Sequence, residues 1–98
     1  MHFKINGIEY SIIFKHETKN VRDRHTYCII ELSENRQILV EEDAYCHPND
    51  NFCKETGRKL ALARALKALG VPVEFRREAW LCYLNRGNPF MDVIEETL

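Results

Sequence analysis

Between Pro48 and Pro72 the chain carries a segment whose pattern admits little except a helix. Pro48 cannot lie inside a helix, so the helix begins after it. Asn49, Asp50 and Asn51 each have a side chain able to accept from a free first-turn N–H, and the reading puts the cap at Asp50 or Asn51. Glu55 lies near the positive end of the helix dipole and four residues before Lys59, a favourable order. Gly70 and Pro72 supply the stop after Leu69. Leu62, Leu66 and Leu69 share one face, and Gly57, Ala61, Ala65 and Ala68 form an adjoining row of small residues. Gly57 costs helix stability, about 1 kcal/mol against Ala, so its place in the row calls for a close packing partner.

That partner is expected to be a sheet. Phe3-Lys4-Ile5, Asn6-Gly7 and Ile8 to Phe14 read as a hairpin, because Asn-Gly supplies the positive φ angles of a type I′ turn. Ile8, Tyr10, Ile12 and Phe14 alternate with Glu9, Ser11 and Lys15. His16 to Arg24 is polar and reads as a loop. Thr26 to Leu32 is a third strand, Ser33 to Arg36 a turn, and Gln37 to Cys46 a fourth strand, with Ile38 and Val40 on one side and Leu39 on the other. Phe75, Ala79, Cys82 and Arg86 form the inner row of a second helix from Glu74, flanked by Trp80, Tyr83 and Leu84 and stopped by Gly87. Asn88-Pro89 opens a short terminal helix with Phe90, Val93 and Ile94 inward. The expectation is an α+β fold over residues 1–98 as one domain: a four-stranded antiparallel sheet of two hairpins, one central helix packed on it, and one or two C-terminal helices.

Net charge is −1, which gives no global attraction to nucleic acid or anionic lipid. The local distribution is uneven. Glu31, Glu34, Glu41, Glu42, Asp43 and Asp50 face only Arg36 within residues 31–50, whereas Lys54, Arg58, Lys59, Arg64 and Lys67 face only Glu55 within 54–67. The basic set scatters round the helix at 100° per residue, so it forms no single stripe for a phosphate backbone. A polarised surface of this kind suits a protein partner with complementary patches. Lys and Arg interrupt each apolar run, which argues against a membrane span. The opening residues, Met1 to Gly7, read directly as structure and not as a leader, so Cys28, Cys46, Cys53 and Cys82 are expected as reduced thiols.

The candidate chemistry is thin. Cys46, His47 and Cys53, with Cys28 across the sheet, are metal-ligand types, but they lack the Cys-x-x-Cys or His-x-x-x-His spacing of structural zinc sites. Cys53 at a helix start with His47 nearby has the ingredients of a thiol nucleophile, but no orienting acid or oxyanion hole accompanies them. The run Glu41-Glu42-Asp43 splits across two faces of a strand and reads as a charged edge. No Gly-rich phosphate loop is present. Tyr10, Phe14, Tyr27 and Tyr45 would make a base-stacking platform only if the sheet presented them together. Neither metal nor cofactor is expected, and the chain does not read as an enzyme.

His47-Pro48-Asn49-Asp50-Asn51-Phe52, followed by Gly57-Arg58-Lys59-Leu60-Ala61-Leu62-Ala63-Arg64-Ala65-Leu66, resembles a segment of small uncharacterised bacteriophage proteins. Their pattern is close to Pro-x-Asp-x-Phe, a basic spacer, then Gly-Arg and an Ala/Leu-rich helix with Arg-Ala-Leu; position 53 is Cys where that pattern has a small polar residue. The resemblance implies a phage source. By analogy it implies a non-catalytic interaction protein, in the host cytoplasm, that binds and inhibits a host protein such as a CRISPR effector or another defence or takeover target. Glu41, Glu42 and Asp43 would occupy a nucleic-acid channel, and Arg58, Arg64, Lys67, Arg76 and Arg77 would pair with an acidic surface. The alternative is a small nucleic-acid-binding module using the basic helix or the sheet aromatics. The exposed half of the sheet leaves room for a homodimer.

Overall fold

The computed structural model describes residues 1–46 and 53–85. Four strands, β1 (His2–Ile5), β2 (Ile8–Glu17), β3 (His25–Leu32) and β4 (Ile38–Tyr45), form one antiparallel sheet in the order β1-β2-β3-β4. Two helices follow, α1 (Lys54–Leu69) and α2 (Val73–Leu84). The α+β class, the two hairpins and the central helix on the sheet are as the sequence predicts.

The first hairpin turns through Asn6 (φ +52°) and Gly7 (φ +82°), both in the left-handed region the turn requires. β2 runs three residues past Phe14, into the stretch that reads as loop. His16 and Glu17 pair with Thr26 and His25, and His16 Nδ1 shares a 2.8 Å hydrogen bond with Thr26 Oγ1. Polar residues on both sides erase the alternation there, but the backbone ladder continues. The connection that remains holds a short 3-10 turn, Val21–Asp23, whose Arg22 N–H donates to Asn20 Oδ1 at 3.0 Å.

The second hairpin departs from simple alternation. Ile30 pairs with Val40 but Glu31 pairs with Ile38, so Leu39 is an extra residue in β4. Ile38 therefore shares the face of Glu31 and is 55 % exposed, while Val40 packs against the core. The expected pairing of Ile38 and Val40 on one side fails because this bulge resets the register between them.

One face of the sheet is covered. α1 lies across β3 and β4, and α2 lies toward β1. Between them and the sheet sit Phe3, Ile12, Cys28, Ile30 and Ala44 from the strands, and Ala61, Leu62, Ala65, Leu66, Phe75, Ala79 and Tyr83 from the helices. Burial of Leu62 and Leu66 contributes about 1.5–3 kcal/mol each before chain entropy is counted. Phe75 meets Phe3 and Tyr10 edge-on, with ring centroids 5.1 and 4.8 Å apart, and Phe14 meets Tyr83 at 5.6 Å.

Two helical rows differ from expectation. On α1 the buried set is Ala61, Leu62, Ala65 and Leu66; Leu69 is half-buried and Ala68 is exposed. On a 100° wheel Ala68 lies about 90° from the centre of that set, beyond the edge of the contact. On α2 the buried row is Phe75, Ala79 and Tyr83, with Cys82 half-buried beside it and Leu84 exposed. Tyr83 takes the inward place because its ring fills space against Phe14 while its hydroxyl accepts from Arg58 Nε at 3.3 Å. The residue at the N-cap position of α1 is Cys53, whose side chain makes no capping hydrogen bond. Asp50 and Asn51, expected as caps, lie outside the described residues, as do Arg86, the Gly87 stop and the terminal helix from Pro89.

Candidate interaction surface

Pairing register places the residues of the sheet's other face in rows. His2, Ser11, Glu31 and Ile38 form one; Ile13, Ile29 and Glu41 the next; then Lys15, Tyr27 and Asp43; then Glu17, His25 and Tyr45. Among the described residues no helix or strand packs on this face. It combines carboxylates with an apolar centre at Ile13 and Ile29 and an aromatic end, a composition that favours protein contact over water alone.

At the aromatic end His25 stands between Tyr27 and Tyr45, with ring centroids 4.5 and 4.6 Å away. Its Nδ1–H donates to the backbone carbonyl of Asp23, which leaves Nε2 as an acceptor. That atom is buried and has no hydrogen-bond partner among the described residues. Tyr45 is 60 % exposed beside it.

At the opposite end Met1, His2, Ser11, Ile13, Glu31, Ser33 and Arg36 line a pocket of about 380 Å³. Ser11 Oγ shares hydrogen bonds with Ser33 Oγ (2.6 Å) and His2 Nδ1 (3.0 Å). Glu31 Oε1 accepts from Arg36 Nε at 3.3 Å. The Glu31 side chain is only 8 % exposed, whereas Arg36 is 76 % exposed at the rim. Taking a carboxylate out of water is costly unless it is well paired, and one long bond to an exposed guanidinium is weak compensation.

The eight residues expected to meet a partner divide in three. Glu41 and Asp43 stand on the uncovered face, while Glu42 pairs with Cys28 on the side of the helices. Arg58 and Arg64 have donors engaged within the fold. Arg58 Nη2 donates to Glu55 Oε2 at 2.8 Å and its Nε to Tyr83, and Arg64 Nη1 donates to the Asp43 carbonyl at 2.8 Å, tying α1 to the edge strand. Lys67 and Arg76 line a groove of about 530 Å³ between the helices, with Ala63, Leu66, Gly70, Val71 and Trp80, and Arg77 is exposed nearby in sequence. The aromatic platform is also divided. Tyr10 and Phe14 pack against the core, and Tyr27 and Tyr45 face the other way.

The thiols are dispersed in environment. Cys28 is in the core, and burial pushes its pKa up to about 12. Cys82 is raised by burial and donates to the His2 carbonyl at 3.4 Å. Cys53 is exposed, and its pKa is lowered chiefly by the nearby Thr56 hydroxyl and backbone N–H. No group of three His, Cys, Asp or Glu among the described residues is placed to hold a metal ion, and His47 lies outside those residues. No helix among the described residues is long and apolar enough to cross a membrane.

The sequence reading missed the Glu31 pocket and the His25 site. Glu31 inside the otherwise apolar run Cys28 to Leu32 was the available signal; its companions become visible only when β1, β2 and β3 are set in register. No family model matches the chain, and no curated protein or solved structure is significantly similar to it.

Proposed function

We propose that this protein is a non-catalytic, phage-encoded interaction protein that inhibits a host protein by laying the uncovered face of its sheet on a basic surface, such as a nucleic-acid channel. What supports the reading is one arrangement: Glu41 and Asp43 border Ile13 and Ile29 on the face that no described helix or strand covers, Ile13 half-buried and Ile29 only 6 % exposed among its neighbours. Electrostatic attraction would steer the encounter, and the apolar and aromatic residues would supply area to bury. A defence complex that handles nucleic acid is the kind of target this chemistry fits.

The test is capture of host proteins on immobilised wild-type chain, on Glu41→Lys/Asp43→Lys, and on Arg76→Glu/Arg77→Glu. The reading expects a stoichiometric partner with wild type and with the arginine variant, lost with the carboxylate variant. Capture that depends on Arg76 and Arg77 instead overturns it.

A second reading, a nucleic-acid-binding module, draws on the groove where Lys67 and Arg76 flank Trp80. It expects oligonucleotide binding that falls steeply with salt. Absence of binding at low salt removes it.

A further inference from the structure

We infer that the pocket closed by Glu31, Ser11, Ser33 and His2 is a receptor for a guanidinium group, so that an arginine side chain of the partner inserts there. This inference rests on the reading that the uncovered sheet face is the docking surface, and it names the group recognised. Three observations carry it.

Among the described residues Glu31 is the one carboxylate lining the pocket, with a side chain only 8 % exposed, and Arg36 engages only its Oε1. A carboxylate binds a guanidinium through two parallel N–H···O bonds, so engagement of one oxygen is half of such a fork. The pocket's other wall atoms suit the same guest. The Ser11 and Ser33 hydroxyls offer acceptor lone pairs, and Ile13 offers an apolar wall for a methylene stem.

The fold already brings a guanidinium to this carboxylate. Arg36 approaches from the rim through Nε alone, at 3.3 Å and 76 % exposed. It does so from a left-handed backbone conformation, φ +61°, in which Gly or Asn is the easier residue. The pocket is thus seen engaging this chemistry loosely, with most of the Arg36 side chain in water. Phosphate is the competing guest, because Arg36 and Met1, whose ammonium donates to the Ile12 carbonyl at 3.3 Å, line the same pocket as Glu31.

The two arginines would compete for one carboxylate, which gives the inference a signed test. The full ¹⁵N-labelled chain is titrated with Nα-acetyl-L-arginine methylamide and followed by backbone amide shifts, with the citrulline analogue and inorganic phosphate as controls. The expected result is saturable shifts at Ser11, Glu31 and Ser33 at millimolar arginine probe, roughly the affinity of a single anchored group, and none with citrulline. Glu31→Gln weakens the arginine response at least about tenfold, and Ile13→Trp, which fills the pocket, abolishes it. Arg36→Gln strengthens it about two- to fivefold, the worth of an exposed ion pair. No saturable shift in the folded wild type overturns the inference. So does a weaker response in Arg36→Gln, or phosphate binding that depends on Arg36. Loss of the pocket response alongside capture that still depends on Glu41 and Asp43 would remove this inference and leave the docking face. A sound pocket response with no carboxylate-dependent capture would do the reverse.

Discussion

Gly57 of α1 rests directly on Thr26 of β3. A Cβ built at Gly57 would collide with Thr26 Oγ1 and lie 3.1 Å from Thr26 Cβ. Thr26 is fully buried and bonded to His16, so it has no free direction in which to yield. The glycine is therefore the condition for α1 to reach the sheet at its N-terminal end. Gly57→Ala should destabilise the protein by about 1–3 kcal/mol, the usual cost of overpacking, although helix propensity alone favours Ala. Thr26→Ala removes the colliding hydroxyl, so the double variant should lose less than the sum of the single ones. Urea unfolding of the four proteins gives the coupling; strict additivity would contradict the contact.

Arg58 ties α1 to α2. Its guanidinium bridges Glu55 and the buried Tyr83. Arg58→Ala should lower stability by about 1–2 kcal/mol through lost charge-assisted hydrogen bonds, while partner capture by the folded variant stays at the wild-type level. Loss of capture with unchanged stability would place Arg58 at the interface instead.

His16 makes stability fall on mild acidification. Burial, then the positive charges of Lys54 and Arg58, lower its pKa from the ordinary 6.5. Above that value the ring is neutral in both folded and unfolded chains and contributes no pH dependence. Below it the unfolded chain takes up the proton first, so stability declines until the folded form titrates as well. Urea midpoints at pH 7.5 and 5.5 should therefore differ more for wild type than for His16→Gln. An equal difference would contradict the assignment.

Thiol chemistry should follow environment. The exposed Cys53, with Thr56 favouring its thiolate, should alkylate first at neutral pH, and Cys82 more slowly. Cys28 should react only after denaturation. Mass spectrometry of chain briefly treated with iodoacetamide reads the order, and early modification of Cys28 would contradict its burial.

Much of this architecture was written in local signals. Asn6-Gly7 announces the first hairpin because its φ angles are a property of those two residues. The Leu62/Leu66 and Ala61/Ala65 pattern announces α1 because helical periodicity is local. The bulge at Leu39 was not legible, since register depends on which residue of a distant strand pairs with it. The inward turn of Tyr83 was hidden for the same reason: its ring is accommodated by Phe14 and its hydroxyl by Arg58. The Glu31 pocket draws on three strands, the residue before the first and a turn, so its residues lie from position 1 to position 36 with no spacing to recognise.

On the proposed function, the uncovered sheet face is what a partner sees. The most direct measurement is carboxylate labelling of the protein alone and in complex with its captured host partner, read by mass spectrometry. The account predicts that Glu41 and Asp43 lose reactivity in the complex while Glu74 and Glu78 on α2 keep theirs. Protection of Glu74 and Glu78 with Glu41 and Asp43 still labelled would contradict it.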